Sequence, residues 1–281
     1  MKDRRLTGIQ LEAYAQFLRR EERAAATVEK YLRDAGAFAA WLEGGAVTRE
    51  AAAGWREHLL AEGLSPVTVN AKLSAVNGLF RFLGWEELRV KFLKVQRRAF
   101  RDAARELSRQ EYTRLLEAAR ALGKTQTELL LETICATGIR VSEVRYITVE
   151  AAARGRAEVA LKGKIRTILL PSRLCRKLLK YAKKQKTVSG EIFLSENGTG
   201  ISRCRIWREM KRLCQAAGVE PSKVFPHNLR HLFASAFYRA TGDIVKLADV
   251  LGHSSINTTR IYLLTTGAEH ARCLERLGLV S

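Results

Sequence analysis

The C-terminal half of the chain sets out, in order, an arginine, a pair of lysines, a His-x-x-Arg motif, a further histidine and a tyrosine. The arginine is Arg140 in Ala136-Thr-Gly-Ile-Arg-Val-Ser-Glu143, where Gly138 ends one helix and Arg140 opens the next. Alone, such an arginine is an ordinary surface residue or a general phosphate contact. Lys162 and Lys164 flank Gly163 in Glu158–Pro171, EVALKGKIRTILLP, whose two short apolar runs predict a hairpin with the lysines at its tip. A long cation there can reach into a cleft, although tip lysines are ordinarily just solvated. Pro226-His227-Asn-Leu-Arg230-His231 starts a helix on proline, and the step from His227 to Arg230 puts both on one face. Turned toward a phosphate, that pair offers a proton-transfer group and a bidentate clamp. Leu229, Leu232, Phe233 and Ala236 are expected to form the buried side of this helix. In Leu251-Gly-His253-Ser-Ser-Ile-Asn-Thr-Thr-Arg-Ile-Tyr262, a helix from Asp243 stops at Gly252, His253 follows in the turn, and Tyr262 lies on a new helix. A helical tyrosine is more often core than nucleophile, so the weight rests on the conjunction of these segments in this order.

The series resembles the tyrosine recombinase (phage integrase) family. ATGIRVSEV is similar to that family's first arginine box, HNLRH to its His-x-x-Arg box, and LGHSSINTTRIY to the segment ending on its tyrosine. The likeness covers about residues 108–265, and residues 7–95 resemble the family's core-binding domain. The resemblance implies that Tyr262 is the nucleophile of a 3′-phosphotyrosyl link and that Arg140 and Arg230 clamp the phosphate. It implies that His227 manages the tyrosine proton, that His253 hydrogen-bonds the scissile phosphate, and that a hairpin lysine protonates the departing 5′-oxygen. Glu143 would orient Arg140, or serve as an ordinary acid at a helix start. With Arg166 and the Ile168-Leu169 strand aligned, this hairpin is a residue shorter than the family's. Lys162 is therefore the expected lysine and Lys164 the alternative. Such phosphoryl transfer asks for an in-line nucleophile and neutralised non-bridging oxygens. The covalent link keeps the phosphodiester energy, so no cofactor, ATP or metal is expected.

The resemblance also implies partners: double-stranded DNA recombination sites, a homo-tetramer on two sites, and accessory DNA-bending or directionality factors. The chain would be a short recombinase with no arm-binding domain. It is similar to those of transposons and integrative elements or to Xer-like chromosome-dimer resolvases, and is expected to integrate or excise a mobile element. A topoisomerase-like nicking-closing enzyme and a non-enzymatic DNA-binding protein of the same fold are the rival readings.

The elements that must position these residues are mainly helical, with a small β-sheet at the hairpin. Thr27–Leu42 spaces Val28, Tyr31, Leu32, Ala35, Phe38 and Leu42 at helical intervals. Ser65-Pro66 predicts a capped helix start, followed by an apolar stripe of Val69, Leu73, Val76, Phe80 and Leu83. Ser108 and Glu111 form a capping-box pattern. Residues 91–106 are basic and lack an apolar stripe; they read as a linker or as a charged helix end. The expected domains are a helical, SAM-like core-binding domain over 1–95, a linker over 96–107 and a catalytic domain over 108–281. The family's two domains imply a C-shaped clamp on DNA. Beyond Tyr262, a stripe of Ala268, Ala271, Leu274 and Leu277 could pack on its own domain or on a neighbouring protomer, and the resemblance favours the neighbour.

Composition agrees. The chain has 281 residues, 47% hydrophobic, room for two cores. Its 49 Lys and Arg against 29 Asp and Glu give a formal charge of +20. Residues 1–100 hold 17 basic and 12 acidic residues, residues 101–281 hold 32 and 17, so the excess lies with the candidate chemistry. A field this positive suits a polyanion, DNA first. Five cysteines without a CxxC pair suit neither a disulfide framework nor a zinc site. No apolar run reaches membrane-spanning length, and the N-terminus lacks a secretory h-region, so a cytoplasmic protein without membrane partners is expected.

Overall fold

A computed structural model of the chain describes residues 4–95, 103–161, 164–262 and 275–276. It divides into two compact units, Met1–Arg97 and Arg98–Ser281.

The first unit is built from four helices, α1 (Gly8–Arg20), α2 (Ala25–Trp41), α3 (Arg49–Ala61) and α4 (Pro66–Phe82). Three of its four helices carry the N-caps that short polar side chains dictate: Thr7 accepts from Gln10 N, Thr48 from Ala51 N, and Ser65 from Thr68 N with Pro66 in the first turn. α4 is the central element; Val69, Leu73, Val76 and Phe80 are fully buried as the stripe requires. Two polar features do not follow from the apolar pattern. Asp34 is buried on α2, with Lys30 Nζ at 2.8 Å and Lys72 Nζ at 3.7 Å from its carboxylate. Lys72 thus answers a buried charge. The other feature is a pair of asparagines seven residues apart on α4. Asn77 donates to Val90 O and accepts from Val90 N, both at 2.9 Å. Asn70 does the same with Leu93, at 2.9 and 2.8 Å. Each amide satisfies both backbone groups of one residue, so the segment after α4 is held along the helix.

The second unit holds α5 (Arg109–Ala121), α6 (Thr125–Thr137), α7 (Val149–Arg154), α8 (Ser172–Lys184), α9 (Arg203–Ala217), α10 (Pro226–Thr241), α11 (Ile244–Leu251) and α12 (Ile256–Thr259). Strands β1 (Arg156–Leu161) and β2 (Lys164–Leu169) form an antiparallel hairpin with Val159 opposite Arg166. The protein is thus mainly helical with one small sheet. α5 begins with a full capping box: Ser108 Oγ accepts from Glu111 N at 3.1 Å and Glu111 accepts from Ser108 N at 2.8 Å. α6 is buried on several sides, through Leu129, Leu130, Leu131, Thr133 and Ile134, and packs against α5, α8, α9 and α10. Two of its three buried threonines, Thr133 and Thr137, return their hydroxyls to the helix, to Leu129 O and Thr133 O.

α10 departs from the expected pattern. Leu229 is buried, but Leu232 and Phe233 are only partly so and Ala236 is exposed. The buried residues are instead Asn228, Leu229, Arg230 and Ala234. Asn228 and Arg230 turn inward because their polar groups have internal partners, while His227 beside them is exposed. Asn228 Nδ2 donates to Arg105 O and Lys223 O, both at 2.8 Å. Past that turn the helix emerges toward solvent.

Candidate active site

Four chain reversals bring the candidate residues together. The first follows α6. Gly138 takes the left-handed conformation (φ +64°), which a side chain resists, and the chain turns through buried Ile139 to Arg140. Arg140 is extended, and a 3-10 turn runs from Val141 to Tyr146. Glu143, only 1% exposed, closes the loop: its Oε2 accepts from Arg140 N at 2.7 Å and its Oε1 from Arg140 Nη1 at 2.9 Å. Arg140 is thereby held, with 42% of its side chain still exposed.

The second element is the hairpin. Residues 166, 168 and 170 face inward by strand alternation: Ile168 and Leu170 are buried, while Ile165, Thr167 and Leu169 are exposed. Arg166 shares that inward face. Its Nη2 donates to Glu143 Oε2 at 2.9 Å and its Nη1 to Leu251 O. Lys162 lies outside the described residues. Lys164 opens β2 opposite Leu161.

The third is the start of α10. Arg230, 3% exposed, donates through Nη1 to Gly138 O and through Nη2 to Leu251 O at 2.8 Å. It therefore ties the turn after α6 to the end of α11. The fourth is the turn after α11, where Gly252 is again left-handed (φ +63°). His253 Nε2 lies 2.9 Å from Arg230 Nη2 and His253 Nδ1 lies 2.9 Å from Thr259 Oγ1. Arginine carries only donors, so Nε2 is the lone-pair nitrogen and Nδ1 bears the hydrogen donated to Thr259.

Tyr262 closes the cluster from a 3-10 turn, Arg260–Tyr262, and is 4% exposed. Its ring lies against three imidazoles: His231 edge-on at 4.8 Å, His253 near-parallel at 6.0 Å and His227 tilted at 6.4 Å between centroids. Its hydroxyl also lies near enough to the Arg230 guanidinium to interact with that charge.

Electrostatics follow from three guanidiniums around one buried carboxylate. Burial, then Arg230, Arg140 and Arg166, hold the His253 imidazolium down to about pKa 4. Burial and Arg230 also lower His227. Arg166 is lowered to about 10 by burial, against the opposing pull of Glu143. Both histidines are held toward the neutral form, and a cleft of about 500 Å³ is lined by Arg140, Arg166, Thr167, His253 and Ser254 together with the carboxylates of Glu143 and Asp249. Such a site can hold a phosphodiester and accept a proton beside it.

Arg140, Glu143, His227, Arg230, His253 and Tyr262 are thus brought together. Three neighbours were not among the candidates. Arg166 entered the sequence reading only as a marker for aligning the hairpin, yet its two-residue step from Ile168 signalled an inward side chain. His231, in HNLRH, pairs with Glu106 at 3.7 Å besides meeting the tyrosine. Thr259 is fully buried, and nothing local in the sequence distinguishes it. No group of three or more His, Cys, Asp or Glu placed to hold a metal occurs among the described residues.

A helical unit that carries an Arg-His-Arg-His-Tyr cluster matches the tyrosine recombinases. Sequence comparison gives the same class: the profile of the phage integrase family matches residues 105–268, and that of the phage integrase N-terminal SAM-like domain matches residues 11–87. The chain is 27% identical to tyrosine recombinase XerA of Pyrococcus furiosus, covering 100% of this chain and 98% of the relative. It is 31% identical to tyrosine recombinase XerD of Caulobacter vibrioides over 78% and 77% of the two chains. Among solved structures, a lambda integrase (75–356) dimer bound to a COC′ core site superposes with a TM-score of 0.73 at 18% identity, covering 92% of this chain and 95% of that one. The XerH recombinase bound to its difH substrate superposes with a TM-score of 0.69 at 20% identity, covering 95% and 84%. The chain belongs to the phage integrase family and is a tyrosine site-specific recombinase.

Proposed function

We propose that the chain cuts and rejoins double-stranded DNA at specific sites through a 3′-phosphotyrosyl bond to Tyr262. The observation that carries this is the position of Tyr262, buried against the imidazoles of His227, His231 and His253 and beside Arg230, with His253 also lining the cleft that holds Arg140. The Tyr262 oxygen attacks phosphorus and the bond from phosphorus to the 5′-oxygen breaks. Neutral His227 takes the tyrosine proton. Arg140 and Arg230 clamp the non-bridging oxygens, Glu143 aims Arg140, and His253 lies beside the same phosphate. Lys162, or Lys164 in its place, protonates the leaving 5′-oxygen. A 5′-hydroxyl from the partner strand then reverses the step, and the number of phosphodiester bonds is unchanged.

Residues 1–95 act as the core-binding domain and residues 108–281 as the catalytic domain, joined by a linker over 96–107. The excess of cations in the second half supports a polyanionic partner. Two strand exchanges on two sites require four protomers, with accessory DNA-bending or directionality factors setting the outcome. The C-terminal stripe, which lies outside the described residues, would join neighbouring protomers. The reaction takes place in the cytoplasm, and among the described residues no helix is long and apolar enough to cross a membrane. The cellular role we propose is integration or excision of a mobile element. Superposition on the Tn1549 transposon integrase in complex with transposon right-end DNA, TM-score 0.69, supports it. Resolution of chromosome dimers is the second reading, favoured by Xer-named relatives of nearly full coverage.

The test is covalent trapping on a nicked duplex that loses its 5′-end after cleavage, followed by sequencing of the attached DNA. Wild-type protein should form a denaturation-resistant adduct, and Tyr262→Phe should bind the DNA without forming one. An adduct of normal yield in the variant would overturn the assignment. A two-site substrate that yields only relaxed circles would point to a nicking-closing enzyme.

A further inference from the structure

Arg166 is the one guanidinium of the cluster without a role in the reading above, and it occupies the middle of the network. Glu143, buried, takes hydrogen bonds from Arg140 on one side and from Arg166 on the other. The Leu251 carbonyl takes one from Arg166 and one from Arg230. Arg166 thus shares an acceptor with each of the two proposed phosphate clamps. The surrounding chain is shaped to admit it. A Cβ at Gly252 would stand 2.3 Å from Arg166 Cδ, and the Arg166 side chain is only 13% exposed. Each of its terminal nitrogens donates one hydrogen bond to a protein acceptor, and its Nε is buried without a partner.

Removing this cation would change what the other two arginines must do. A buried carboxylate needs its charge answered. Without Arg166, Arg140 alone would answer Glu143, and Arg230 alone would answer the Leu251 carbonyl. Each would be drawn toward the protein and away from an incoming anion. We propose that Arg166 is a positioning residue: by carrying part of Glu143 and of Leu251, it leaves Arg140 and Arg230 free for the non-bridging oxygens of the scissile phosphate. It touches no reacting atom. This rests on the phosphotyrosyl reading above.

The competing possibility is that Arg166 acts through its own hairpin, by fixing the leaving-group lysine. Three substrates separate the two. One carries the natural phosphodiester. One carries a methylphosphonate at the scissile position, which removes the negative charge that the arginines must meet. One carries sulfur as the bridging 5′-atom, which leaves without a proton donor. Each would be given to wild-type protein, Arg166→Met and Arg166→Lys. The lysine variant keeps the charge but lacks the two separate nitrogens that reach Glu143 and Leu251, and it serves if the neutral variant does not fold.

On the phosphodiester, the variants should bind normally and form adduct about tenfold or more slowly than wild type, the scale of loss when a group that orients a ligand is removed. On the methylphosphonate the deficit should shrink to about threefold or less, because the clamp has less charge to meet. On the sulfur-bridged substrate it should persist. A deficit relieved by sulfur and not by the methyl group would place the action in the hairpin and overturn the proposal. So would an equal deficit on all three, which is the mark of a structural role alone. If wild-type protein forms no adduct on any substrate, the phosphotyrosyl reading itself fails.

Discussion

Gly138→Ala is the sharpest perturbation the site allows, because it strains one backbone unit and presses on one identifiable ring. Gly138 is left-handed at φ +64°, and placing an L side chain there costs about 1–2 kcal/mol. The added Cβ would stand 2.3 Å from Phe233 Cδ1, 2.6 Å from its Cε1 and 3.0 Å from Leu251 Cδ2. Overpacking of this kind costs about 1–3 kcal/mol more. The sum, about 2–5 kcal/mol, is a large part of the 5–15 kcal/mol that holds a typical domain together. Gly155 supplies the control, being left-handed at φ +71° with nothing within 4 Å of an added Cβ. Gly155→Ala should show the backbone cost alone. The assay is urea unfolding followed by circular dichroism. The difference between the two variants measures the collision with Phe233, and Phe233→Leu in the Gly138→Ala background should restore part of it. Function should fall further than stability, because Gly138 O is an acceptor of Arg230 and Phe233 lies one turn along the same helix. A Gly138→Ala loss no greater than that of Gly155→Ala would refute the reasoning, since the ring would then be giving way without cost.

The depressed His253 gives a pH dependence of definite sign. An unfolded chain takes up this proton near pH 6.5 and the folded chain only near 4, so unfolding binds a proton between those values, and stability falls as pH drops through that window. His253→Gln should flatten this part of the stability curve; identical slopes in the two proteins would refute the assignment. Asn77→Ala should cost about 2–4 kcal/mol, since both the N–H and the C=O of Val90 lose their partner, and melting temperature or urea midpoint will show it.

Much of the site could be read in the sequence because its positions are marked by punctuation. Gly138, Pro226 and Gly252 are helix-boundary residues, and each sits beside a residue of the cluster. The short polar caps at Ser65 and Ser108 fixed their helices in the same way. What escaped were charges that go inward. Arg166 and Asp34 carry ordinary surface side chains, and only a three-dimensional partner, Glu143 in one case and Lys30 with Lys72 in the other, makes their burial tolerable. The same effect misled the reading of α10. Its apolar pattern predicted Ala236 inside, whereas hydrogen bonds draw Asn228 and Arg230 in and leave Ala236 outside. Thr259 is visible only once His253 needs a partner for Nδ1. Of the hairpin lysines, the fold indicates where strand pairing resumes, at Lys164 opposite Leu161.

The two asparagines of α4 lend the segment they hold an unusual indifference to solution conditions. Proteins that grip nucleic acid through arginine and lysine let go as ions accumulate, since counterions return to the phosphates. An amide paired with a peptide group has no charge for salt to screen, and neither Asn70 nor Asn77 titrates. The grip on Val90 and Leu93 should therefore hold from dilute buffer to concentrated brine and across the working range of pH. A wash strong enough to strip a nucleic acid held by cations would leave Val90 and Leu93 fastened along α4.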